Sequence, residues 1–154
     1  MTREQQIKKL LDKIISAVVK ARGKCEYHNA FIGCKVVGSD LDPAHIFNRS
    51  NLGGRWDPEN ILAMCRGHHT WADLHRDMFR ELCKLFIIGE SQFNKIRRES
   101  LKVVKPNYFK ILGRIIQDIN DRKLSLSEKT LKDLEKVTKL IYQFRSKKHE
   151  RLQK

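Results

Sequence analysis

Two short chelating turns, Cys25-x-x-His28 and Cys65-x-x-His68, stand 36 residues apart and bracket a stretch with little regular periodicity. Each turn can bend both side chains onto a single ion at tetrahedral angles, and zinc suits such mixed thiolate and imidazole sets. A closed site of this kind would cross-link the intervening segment, which is broken up by Gly33, Gly38, Pro43, Gly53, Gly54 and Pro58 and has few long apolar runs. Metal binding then supplies folding free energy that a small core does not. The expected ligands are Cys25, His28, Cys65 and His68, with Cys34 close enough in sequence to stand in for His28 in a three-cysteine, one-histidine site. The contrary reading keeps these residues as buried free thiols and ordinary histidines. Cys83, beside Leu82 in a helical pattern, reads as core packing.

The net charge of +14 over 154 residues makes an acidic partner the natural one, with nucleic acid first among candidates. The charge is unevenly spread. Residues 1–24 hold seven Lys/Arg against two Asp/Glu, residues 25–101 ten against ten, and residues 102–154 fifteen against six. A neutral centre between basic flanks fits a protein whose helices grip phosphates; lysines that merely keep it soluble would give the same sum. The first residues, Met1-Thr2-Arg3-Glu4-Gln5-Gln6, lack an apolar signal region, so a cytoplasmic setting with reduced thiols is expected. No apolar run approaches the roughly 20 residues that span a bilayer, and no membrane association is expected.

Ile7, Leu10, Leu11, Ile14, Ile15, Val18 and Val19 recur at helical spacing and predict a basic amphipathic helix over 3–22, stopped by Gly23. Lys35-Val36-Val37 and Ile61-Leu62-Ala63-Met64 predict short strands. Beyond His68, Trp71, Leu74, Met78, Leu82 and Leu85 or Phe86 predict a helix ending at Gly89, and a shorter one follows over 93–101. After Pro106 come two more stripes, Ile111, Leu112, Ile115, Ile116 and Ile119, then Leu131, Leu134, Val137, Leu140, Ile141 and Phe144. Ser125-Leu126-Ser127-Glu128 reads as a capping box for the last helix. Antiparallel pairing of these two helices would bury both stripes, and the same stripes would serve a homodimer. The tail from Arg145 is expected to fray. The resulting plan is an N-terminal basic helix (1–24), a core holding the zinc (25–88) and a C-terminal basic helical region (89–154).

The run Asp42-Pro43-Ala44-His45-Ile46-Phe47-Asn48-Arg49-Ser50, then Arg55-Trp56-Asp57-Pro58-Glu59-Asn60, then Leu62-Ala63-Met64-Cys65-Arg66-Gly67-His68-His69 resembles the HNH, or ββα-metal, endonucleases, and among them phage recombination nucleases of the NinG type. The match covers roughly residues 25–75, a third of the chain. It implies a small, treble-clef-like ββα-metal core; the basic amphipathic flanking helices lie outside the resemblance, and with them and the zinc staple the expected fold is α+β, mostly helical overall. It also implies metal-dependent hydrolysis of DNA phosphodiester bonds, duplex or branched, in phage recombination, replication or packaging.

Residue by residue, the resemblance makes His45, at the end of the first strand, the general base that takes a proton from the attacking water, a role suited to a neutral imidazole. Asn60, in the turn before the second strand, would orient that imidazole by hydrogen bonding. His69, first on the following helix, would bind a catalytic Mg²⁺ or Mn²⁺. Asp73, four residues on and on the same helical face, is the expected second ligand. Ala44 stands where many family members carry an Asp or His ligand, and Asp73, Asp42 or His75 could make up the deficit. Arg49, Arg55 and Arg66 are candidate phosphate clamps, while Trp56 and Trp71 are expected to pack the core. The rival reading is a zinc-stapled DNA-binding module that does not cut.

Overall fold

In a computed structural model of the chain, the architecture is mostly helical around a two-stranded antiparallel sheet. The structure describes residues 1–29, 34, 36–38, 40–48, 54–102 and 105–152, with residues 28, 29 and 145–152 described by their backbone alone. The elements are α1 (Arg3–Ala21), β1 (Leu41–His45), β2 (Ile61–Cys65), α2 (Arg66–Leu74), α3 (Arg76–Leu82), α4 (Glu90–Ser100), α5 (Tyr108–Asp121) and α6 (Glu128–Leu152), with short 3-10 turns at Glu26–Asn29 and Pro58–Asn60.

Helix α1 starts at a capping box: the Thr2 hydroxyl accepts the Gln5 N–H at 3.2 Å, and the Gln5 carbonyl oxygen accepts the Thr2 N–H at 2.7 Å. It buries the seven apolar residues that the sequence pattern selects, laying them against the sheet and α6. It stops just before Gly23, whose φ of +79° an L-residue adopts only with strain. Strand β1 pairs with β2 in the register Leu41↔Cys65 through His45↔Ile61. Pro43, opposite Ala63, is tolerated because each strand of a two-stranded sheet keeps an outer edge with no ladder partner. Every residue of β2 is buried, since the sheet is covered on both faces.

Several expectations are corrected. In the predicted strand Lys35-Val36-Val37, the two described residues, Val36 and Val37, do not form a strand. Lys35 lies outside the described residues, Val36 and Val37 are exposed, and Val37 makes only an isolated bridge to Lys24, with the Cys25 N–H on the Val36 carbonyl at 3.3 Å. The single helix expected from His68 to Gly89 is broken at His75, where φ is −125° and ψ 51°, and widens into a π turn over Cys83–Ile87. The buried face is the one carrying Ala72, Phe79 and Cys83, one residue on from the predicted stripe, and Leu74, Met78, Leu85 and Phe86 are exposed. The last helix is capped by Ser127, whose hydroxyl takes the Thr130 N–H at 3.3 Å, rather than by a Ser125 box. Helix α6 lies chiefly along α1 and only secondarily along α5, so the expected hairpin of the last two helices is replaced by packing on the first. One hydrophobic cluster draws on all of these elements, from Ile7 in α1 to Ile141 in α6, with Trp56 fully inside it and Trp71 at its edge.

Candidate functional site

The 3-10 turn after α1, the Val37 bridge and the junction of β2 with α2 bring four side chains together. The sulfurs of Cys25, Cys34 and Cys65 and a ring nitrogen of His68 all lie within 4.8 Å of one another. His68 Nδ1 stands 3.4 Å from the Cys25 sulfur and 3.3 Å from that of Cys65, and the Cys34 and Cys65 sulfurs are 3.6 Å apart. Around a tetrahedral zinc, with bonds of about 2.3 Å to sulfur and about 2.0 Å to nitrogen, ligand atoms stand roughly 3.5 to 3.8 Å apart. The cluster therefore has the donor set and the dimensions to hold a metal such as zinc. Cys34, the alternative to His28 in the sequence, is a member; the side chain of His28 lies outside the described residues.

The thiols of the cluster are shifted in opposite directions. Burial pushes the Cys25 thiol up to about 11, even though the backbone N–H groups of Cys65 and Tyr27 favour its thiolate. Cys34 shifts the other way: burial opposes its thiolate, but hydrogen bonds from the Val36 backbone and from the Cys65 and Cys25 side chains outweigh it. The Tyr27 ring, with its centroid 4.9 Å from that of His68, closes one side.

His45 ends β1, and its Nε2 is 3.0 Å from the Arg55 carbonyl. A carbonyl only accepts, so Nε2 carries the proton and Nδ1 is the basic atom of the neutral ring. Asn60 is fully buried in the turn before β2. Its amide nitrogen donates to the Phe47 and Gly54 carbonyls, both at 3.0 Å, and its oxygen accepts the Phe47 N–H at 2.9 Å. Both amide hydrogens are thus spent on the β1–β2 loop, and the imidazole is held by the Arg55 carbonyl instead. Asn60 can act on His45 only through that backbone.

His69 is the fourth residue of α2, not the first, and its Nε2 lies 4.0 Å from an Asp73 carboxylate oxygen. Arg76 pairs with the other Asp73 oxygen at 3.0 Å and donates to the His45 carbonyl at 2.7 Å, linking the helix to the end of β1. Among the described residues, the Cys₃His set is the one group of three or more metal-capable side chains gathered around a common point. His69 and Asp73 remain a pair. Asp42 faces the highly exposed Arg66 at 3.9 Å, and the His75 ring packs on Trp71 at the helix break.

Arg55 is not available as a clamp. It forks onto Asp12 of α1 with contacts of 3.1 and 2.7 Å, its guanidinium sits over the Trp56 ring, and Trp56 Nε1–H donates to the same Asp12 at 2.8 Å. Arg49 lies outside the described residues. Two arginines that sequence reasoning passed over do reach this region: Arg76, and Arg80, whose Nε donates to the Ile46 carbonyl at 3.1 Å while the guanidinium covers Phe47. Their places three and seven residues after Asp73, on the same helical side, are the one signal that could have found them. Among the described residues no helix is long and apolar enough to cross a membrane. Comparison of the chain with family models, curated proteins and solved structures returns no match.

Proposed function

We propose that the chain is a metal-dependent DNA endonuclease of the HNH type, with zinc in the Cys25, Cys34, Cys65 and His68 cluster. The observation that carries this reading is the strand, turn, strand and helix running from Leu41 to Leu74, with His45 closing the first strand and a His69–Asp73 pair on the helix. In it, the basic Nδ1 of His45 takes a proton from water as the water oxygen bonds to phosphorus. The P–O bond to the 3′ oxygen breaks, leaving a 5′ phosphate and a 3′ hydroxyl. The Arg55 carbonyl keeps the ring in the required tautomer, and the imidazolium that forms gains from the same acceptor. A 4.0 Å gap between His69 and Asp73 lets both bind one Mg²⁺ or Mn²⁺. Such an ion would polarise the scissile phosphate and stabilise the leaving oxygen. Arg76 holds Asp73 in place and carries positive charge toward the same strand end.

A second reading, a DNA-binding module that does not cut, is favoured by Ala44 at the family's usual ligand position and by the structural bonds of Asn60 and Arg55. Turnover separates the two. Supercoiled DNA incubated with Mg²⁺ or Mn²⁺ should be nicked by the wild type and at least about 100-fold more slowly by His45→Ala, the lower end of what a general base contributes. Intact DNA under conditions where the wild type binds it well would hand the case to the binding module.

A further inference from the structure

The two basic segments of the chain are remote in sequence but adjacent in space, because α6 lies along α1. Between these helices is a cavity of about 300 Å³ lined by Met1, Gln6, Lys9, Leu10, Lys13 and Lys136. We propose that this groove binds the phosphate backbone of duplex DNA through Lys9, Lys13 and Lys136; the choice of DNA as the polyanion rests on the function proposed above.

Lys9 and Lys13 are one helical turn apart on α1 and both exposed, while Lys136 reaches the groove from α6. Among the described residues no ion pair engages any of the three, whereas Lys8, Lys84, Lys95, Lys102 and Lys132 each face a carboxylate at 2.6 to 3.1 Å. Like charges gathered without acids repel one another, and a surface tuned only for solubility intersperses the signs. The groove's charge therefore awaits an external anion. Lys129, two turns before Lys136, and Lys139, one turn after it, are exposed on the same helix. From residue 129 to 139 the helix advances about 15 Å, which spans roughly four nucleotides of one strand at about 3.4 Å each. The cavity wall itself is largely apolar and includes Met1, 77% exposed, so the lysines around it carry the phosphate contacts, and a lipid surface is the competing occupant that the vesicle arm below tests.

The test compares the zinc-loaded full chain with two triple variants, Lys9→Gln/Lys13→Gln/Lys136→Gln and, as a charge-matched control, Lys84→Gln/Lys95→Gln/Lys102→Gln. Binding of a short labelled DNA duplex is followed by anisotropy from about 50 to about 200 mM salt without added Mg²⁺ or Mn²⁺, and folding is checked by thermal melting. Each lost phosphate contact lowers the salt slope by about 0.9, so the groove variant should lose about 40-fold less affinity than wild type over that range. The control should keep the wild-type slope. Equal losses in both variants would reduce the effect to diffuse charge, and tighter binding to phosphatidylserine vesicles than to the duplex would replace DNA with a membrane; either overturns the proposal. A wild type that binds through these lysines yet never nicks keeps the groove and removes the nuclease. Nicking alongside indistinguishable variants does the reverse.

Discussion

A thiol with a high pKa must surrender its proton before it can hold a metal, and Cys25 is held at about 11 by burial. Its raised value means that it is protonated across the neutral range in the metal-free protein. Zinc must displace that proton, so apparent zinc affinity should rise at least about tenfold per pH unit between about pH 6 and 8. Competition with a chromogenic chelator measures this, and a flat profile would contradict the assignment. The ligand set itself is tested by Cys34→Ser against His28→Ala. Four atoms already close the site without His28, so the serine variant should lose tightly held zinc and the alanine variant should retain it. The sequence supplied both candidates but ranked them by local spacing, which favours the residue in the same turn. Spacing carries no trace of the Cys25 N–H to Val36 carbonyl hydrogen bond, which joins the segment just after Cys34 to Cys25.

The loop between β1 and β2 depends on one close approach. A methyl group at Gly54 would overlap Ser100 Oγ at the end of α4 and come within 2.8 Å of Asn60 Nδ2. Asn60 has nowhere to retreat, because its amide is bonded to Phe47 and to Gly54 itself. Gly54→Ala should therefore cost about 1–3 kcal/mol, as overpacking does, and read out as a lower denaturation midpoint with zinc retained. An unchanged midpoint would show that the loop is slack and that His45 is held by something else. Elements of this kind were legible where a single residue marks them: His45 closes its strand, Asn60 sits in its turn and Gly23 stops its helix. The face of α3 was not, because two apolar stripes one residue apart run through this segment, and the larger side chains Leu74 and Met78 mark the one that faces solvent. Likewise the stripe on α6 announces that it will be buried without saying against which helix.

The whole molecule is joined by charge as well as by its apolar core. Arg22, just past the end of α1, has a side chain 2% exposed. It donates to Glu26 at 2.8 Å, to the Ile61 carbonyl at 2.6 Å, and to the Pro58 carbonyl and Asp118 at 3.1 Å. Glu26 in turn accepts the Ala63 N–H at 2.7 Å, and Arg122 bridges Glu26 and Asp118 at 2.8 Å each. This clamp binds α1, the 3-10 turn, β2 and α5 at one point, and no sequence pattern announces it because its members span 22 to 122. Removing one partner from a buried ion network leaves the others charged and desolvated, so Arg22→Met should destabilise the fold by about 3–5 kcal/mol. Strand β2 is then pinned at both ends, by the clamp at Ile61 and by the cysteine–histidine cluster at Cys65. Two anchors on one five-residue strand share the work of fixing it. In urea denaturation, Arg22→Met combined with Cys34→Ser should depart from additivity by about 0.5–3 kcal/mol. Strict additivity would mean that the clamp and the cluster stabilise independent parts of the protein, and that β2 does not transmit strain between them.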